Sequence, residues 1–175
     1  PLGTMKRIAA FLDTVIFLHY QPFEQINWRE LLGADEVVLT VAPIVISELD
    51  RHKDGQNTTK RSKERARKVA GRFRELWSAG PEAVVRDGVT IRAIIRHPSI
   101  DFGAYGLSRD WHDDHLFASM IDMREQATDH EIVLVTRDVG PELRASHYGF
   151  RTIRLPDSLE LVDEPDPGEK RIREL

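Results

Sequence analysis

The chain has 175 residues, of which 41% are hydrophobic and 31% charged, enough for one domain with a real core and too apolar for a disordered chain. It contains no cysteine, which excludes disulfides, thiolate nucleophiles and cysteine-based zinc sites and suits a reducing cytoplasm. Its net charge of −4 taken alone argues against nucleic-acid binding, and no apolar run approaches membrane-spanning length.

The first four residues, PLGT, read as the remnant of a cleaved tag, with Met5 as the natural start. Residues 7–13, RIAAFLD, predict a buried strand followed by a short helix from Thr14. Residues 23–33 carry Phe23, Ile26, Leu31 and Leu32 at helical spacing, with Gly33 as the C-cap. Residues 36–41 are a β-branched strand, and Pro43 suits the first turn of a helix through Glu48 to Lys53. A loop at 54–57 precedes a long basic helix over 60–78, whose inner face is Val69, Phe73, Leu76 and Trp77. A strand follows at 89–95, then turn formers and aromatics over 96–112 without periodicity, a loop long enough to be functional. Residues 113–127 predict a helix, 131–136 a buried strand, 139–147 a short helix and 150–155 a last strand. Alternating strands and helices imply an α/β domain over 5–156, with a mostly parallel sheet and helices on both faces. Residues 157–175 read as an acidic flexible tail with few anchors, ending in a charged, helix-prone segment that suggests a further element after residue 175.

Charge is unevenly placed along this order. Residues 60–74 read KRSKERARKVAGRFR, and a local basic stripe can follow a phosphate backbone on a mildly acidic chain. Lys60, Arg61, Lys63, Arg65 and Lys68 are the candidate contacts. Four acids, Asp13, Glu48, Asp114 and Asp138, sit just beyond predicted strands or at helix starts. In parallel α/β sheets that is the edge where ligands bind. Converging carboxylates repel and raise one another's pKa. A hard divalent cation, Mg²⁺ or Mn²⁺, relieves that repulsion, which points to phosphate chemistry.

Each acid has a bland alternative. Asp13 and Asp138 can cap the helices that follow them, and Asp138 is the acid least suited to direct ligation. Glu48 competes with Asp50, two positions on, and helical spacing does not separate them. Asp114 shares a helix face with Phe117, Ala118 and Ile121, which favours it over Asp113, read as the N-cap. His112 and His115 read as ordinary surface histidines, and Trp111 and Tyr105 either stack unpaired bases or pack locally.

Four motifs, FLDT at 11–14, ISELDRHK at 46–53, DDHLFASM at 113–120 and VLVTRD at 133–138, fall in the order found in PIN-domain nucleases, and the chain resembles that family. The stretch from Glu48 to Leu76 is similar to the acidic helix, loop and basic helix of the larger members, such as eukaryotic RNA-decay endonucleases and PhoH-type proteins. The resemblance implies a three-layer α/β/α fold. It implies metal ligation by Asp13, Glu48, Asp114 and Asp138, with Thr136 orienting a carboxylate or a water. It implies hydrolysis of single-stranded RNA to 5′-phosphate and 3′-hydroxyl ends, DNA being the other candidate substrate. One- and two-metal schemes both fit; in the second, Asp13 bridges cations about 3.5–4 Å apart. The rival readings are a PIN-like nucleic-acid-binding or scaffold module with little catalysis, and a toxin-like nuclease silenced by a protein partner. A homo-oligomer is compatible with either. An aspartyl phosphatase is disfavoured because Val15 stands where a second aspartate is expected.

Overall fold

β1 (Arg7–Leu12) is the central strand of the computed structural model, which describes residues 4–55 and 58–162. Its residues Ile8, Ala10, Phe11 and Leu12 are fully buried, as a strand covered on both faces must be. Parallel neighbours flank it: β2 (Glu36–Val41) on one side and β5 (Glu131–Val135) on the other. β4 (Val89–Ala93) extends the sheet beyond β2, and β6 (Arg151–Ile153) extends it beyond β5. The order is β3-β4-β2-β1-β5-β6, parallel except for β3 (Glu82–Arg86).

β3 was not legible as a strand beforehand. It forms an antiparallel edge hairpin with β4 through Asp87-Gly88, and Gly88 takes φ +70°, which such a turn requires. Its side chains alternate between exposed and half-buried, so it lacks the dense apolar signal of the inner strands.

Among the described residues, six helices connect the strands: α1 (Thr14–His19), α2 (Trp28–Leu32), α3 (Pro43–Asp54), α4 (Lys60–Leu76), α5 (His112–Glu125) and α6 (Val139–His147). The helix expected over 23–33 is broken. Phe23–Gln25 is a 3-10 turn, Ile26 is extended, and α2 begins only at Trp28. The indole of Trp28 donates to the Phe23 carbonyl at 2.8 Å and fixes that kink, while Gly33 ends α2 at φ +59° as expected. α4 packs on α1 and α3 through an aromatic group in which Phe73 meets Phe17 edge-on at 5.3 Å and stacks on Trp77 at 4.4 Å.

The tail is not loose at its start, contrary to the expectation from composition. Tyr20 pairs with Glu160 in a β-bridge, Gln21 donates to the Leu159 carbonyl, and Leu161 donates to the His19 carbonyl. Backbone bonds, the Arg137–Glu160 pair at 2.7 Å and Leu159, packed against the core, hold it in place. The rest of the acidic tail, from residue 163, and most of the tag remnant lie outside the described residues. No helix among the described residues is long and apolar enough to cross a membrane.

Candidate metal centre

The parallel register aligns the carboxyl ends of β1, β2 and β5, and the chain leaves β1 and β5 in opposite directions along the sheet. That is the switch point at which such sheets open a crevice. Asp13 follows β1 directly. Its backbone N–H still donates to the Val135 carbonyl, which fixes the residue at the β1–β5 seam. Thr136 follows β5, Asp138 stands at the start of α6, and Glu48 lies on α3, the helix after β2.

Hydrogen bonds connect these residues. One Asp13 oxygen accepts the Thr14 N–H at 2.8 Å, and the other accepts the Thr136 hydroxyl at 3.0 Å. The Thr14 hydroxyl donates to Glu48 at 2.6 Å. The Thr136 hydroxyl in turn accepts the Asp138 N–H at 3.2 Å. Asp13 thus both caps α1 and anchors a chain that runs from Glu48 to Asp138. Thr14, part of the FLDT motif, is the member that sequence reasoning missed.

Asp13 is 8% exposed. Burial pushes its carboxyl up to about 6, against the two hydrogen bonds that lower it, and the charges of Asp113 and Glu48 add to the rise. A buried carboxyl that neighbouring acids discourage from ionising is the donor set a hard cation stabilises. The residues therefore fit a divalent ion on chemistry. Among the described residues, no three acids or histidines are already gathered closely enough to hold one.

The two acids of α5 are placed differently from the expectation. α5 begins one residue early, with Trp111 at its N-cap, so Asp113 lies inside the first turn rather than capping it. Asp114 is buried; one oxygen accepts the Ser108 N–H at 2.7 Å and the other is gripped by the Arg144 guanidinium. Asp113 is exposed, and it is the stronger of the two charges acting on Asp13. Face periodicity does not separate the two, because α5 is buried around most of its circumference and Asp113 too is in line with buried Leu116, Phe117 and Met120. Asp50 is exposed and pairs with Lys53 at 3.3 Å, away from this chain of bonds. The Asp138 carboxylate makes no capping bond.

An arginine and a histidine stand at the rim. Arg51 on α3 meets His112 on α5 at 3.0 and 3.3 Å, and His112 lies 3.9 Å from Glu48. Trp111 beside them is 67% exposed. Tyr105 is turned away from the rim, its hydroxyl donating to Glu125. Along α4, Lys60 and Lys68 are exposed, Arg61 and Lys63 are half-buried, and Arg65 is diverted inward to the Leu18 carbonyl at 2.7 Å.

A family model described as PIN domain matches residues 10–155. No curated protein matches the chain. Among solved structures, the chain is similar to a domain of a functionally unknown protein from Methanocaldococcus jannaschii DSM 2661, with 15% identity and a TM-score of 0.48, covering 91% of this chain and 99% of that one. It is also similar to VapBC-1 from nontypeable Haemophilus influenzae, with 14% identity and a TM-score of 0.46, covering 84% and 98%.

Proposed function

The chain belongs to the PIN-domain family, and we propose that it is an endoribonuclease that hydrolyses phosphodiester bonds of single-stranded RNA. PIN domains are in general metal-dependent nucleases. The observation that carries the reading is the buried Asp13 carboxyl at the β1–β5 seam, hydrogen-bonded to Thr136 and raised by burial and by acidic neighbours.

Asp13, Glu48 and Asp138 would hold Mg²⁺ or Mn²⁺ together with an acid of α5, where Asp113 is better placed than Asp114. The bound cation supplies positive charge to the scissile phosphate and makes water a competent nucleophile near neutral pH. Thr136 and Thr14 hold the carboxylates of Asp13 and Glu48 in fixed orientations. Arg51, held against His112, brings positive charge to the mouth, where a phosphate passes. Lys60, Lys63 and Lys68 follow the backbone of the strand, and Trp111 offers an exposed face for an unpaired base. Arg65 supports α4 instead of the strand. Attack in line with the leaving 3′-oxygen yields a 5′-phosphate and a 3′-hydroxyl.

The test is cleavage of end-labelled single-stranded RNA and DNA in Mn²⁺, Mg²⁺ or EDTA, with the product ends identified. RNA cut only with metal, and not by Asp13→Asn, is the expected result. Equal cutting by Asp13→Asn, or none by the wild type in either metal, overturns the reading.

A further inference from the structure

A second concave site lies away from the acids, between β4, the segment after it and the C-terminal half of α5. Its volume is about 580 Å³, within the range of small-molecule sites and sufficient for a mononucleotide. Arg92, Arg96 and His97 line one side, all exposed. Neither arginine pairs with an acid among the described residues. Several other surface arginines are paired, Arg7 with Glu36 and Asp129, Arg72 with Glu24 and Glu75, and Arg151 with Glu131. Two unclaimed guanidiniums flanking one groove match a phosphate, which takes paired N–H donors.

The opposite wall is formed by Ser119, Asp122 and Met123 of α5. Ser119 is 4% exposed, and its hydroxyl has no hydrogen-bond partner. Helical serine often bonds back to the preceding turn. Here it does not, and one side-chain rotation makes the hydroxyl available to a ligand. Asp122 also lines this wall; its oxygens accept from the Ser99 hydroxyl and the Gln126 amide, both at 3.1 Å, and its negative charge sets the phosphate on the arginine side of the groove. Ile95, 73% exposed, and Met123 supply apolar surface for a base.

Its β4 wall lies at the edge of the sheet that carries Asp13, and its α5 wall reaches Thr128, next to the Asp129 that pairs with Arg7 at the opposite edge. Ile94 donates to the Val41 carbonyl, so β4 ends level with β2, two strand spacings (about 10 Å) from the end of β1. We propose that this groove is a nucleotide-binding site, with the phosphate held between Arg92 and Arg96 and the base against Ile95 and Met123. The phosphate comes from a free mononucleotide or from the RNA strand at the acid cluster. Only the second source rests on the nuclease reading.

Calorimetric titration in EDTA with uridine, uridine 5′-monophosphate and a short oligouridine tests the site. The monophosphate or the oligouridine is expected to bind saturably, and uridine much more weakly. Arg92→Gln/Arg96→Gln is expected to weaken that binding by about tenfold or more, as befits charged donors to phosphate, with an unchanged melting temperature. Ser119→Ala is expected to weaken it about threefold without destabilising the fold. A loss seen with the monophosphate identifies a free nucleotide as an occupant, and a loss confined to oligouridine identifies the strand. Uridine binding as tightly as its monophosphate, or isotherms for both phosphates unchanged in the double variant, overturns the proposal. Absence of metal-dependent cleavage by the wild type would refute the nuclease reading and leave these isotherms unaffected.

Discussion

Asp13→Asn should stabilise the metal-free protein, and should do so only above a definable pH. The Asp13 carboxyl titrates near 3.8 when the chain is unfolded and about 6 when it is folded. The folded state therefore binds the extra proton between those values, and the wild type loses stability as pH rises from about 4 to about 6. Above that window the penalty is complete, and a shift of about 2 units corresponds to roughly 3 kcal/mol. Asparagine removes the charge but returns part of the gain. Its oxygen still accepts the Thr14 N–H, while its NH₂ faces the Thr136 hydroxyl, whose proton then lacks an acceptor. That loss is about 1 kcal/mol. A net gain of about 1–2 kcal/mol corresponds to a rise in melting temperature of about 3–8 °C in a domain of this size. The assay is thermal unfolding of both proteins in EDTA from pH 4 to pH 8. Below pH 4 the variant should be equal or slightly worse; above pH 6.5 it should be better. A difference that does not change with pH refutes the reasoning. Saturating Mn²⁺ should raise the wild-type midpoint by mass action and leave the variant nearly unmoved.

The α5 acids should separate by two readouts: Asp113→Asn should lose cleavage with little change in melting temperature, while Asp114→Asn should lose about 1–3 kcal/mol because Arg144 is left without its partner. An Asp114→Asn variant that melts like the wild type yet cannot cut RNA would make Asp114 the ligand. Lys60→Ala/Lys68→Ala should flatten the slope of log affinity against log salt by about 0.7 for each phosphate that is no longer neutralised. Arg65→Ala should leave that slope alone and lower stability by about 1.5–3 kcal/mol through its bond to Leu18, and a changed slope would return Arg65 to the binding surface. Ending the chain after Pro156 should lower the urea midpoint because it removes the bonds of Glu160 and Leu161, whereas ending it after Val162 spares them; equal midpoints would show that those bonds contribute nothing.

Much of this was legible in the residues because inner strands and capped helices leave strong local signals. β1 and β2 are apolar runs bounded by turn formers, and α3 is announced by Pro43. What failed lacked a local signal. β3 is an edge strand of modest apolarity, and its pairing with β4 shows only after folding. The break at Ile26 depends on the bond from Trp28 to Phe23. The start of the tail is held by backbone groups, which composition does not record. At the site, Asp13 and Asp138 could be picked out because each follows a strand and precedes a helix, while Glu48 over Asp50 and the role of Thr136 came from the resemblance to PIN-domain nucleases. The ion pair that engages Asp114 left no local signal, since it depends on Arg144, thirty positions along the chain.

The bond between Thr136 and Asp13 spans 123 positions of sequence. Its loop must close before either residue has its partner, and closing long loops is the slow, entropically opposed part of folding. β1 is made first, yet its β5 neighbour arrives only after four-fifths of the described chain has been synthesised. A nascent or partly unfolded chain therefore carries the basic α4 and the acid of β1 without the seam that joins the acid to Thr136. A function that needs Asp13 and Thr136 together waits for the completed fold.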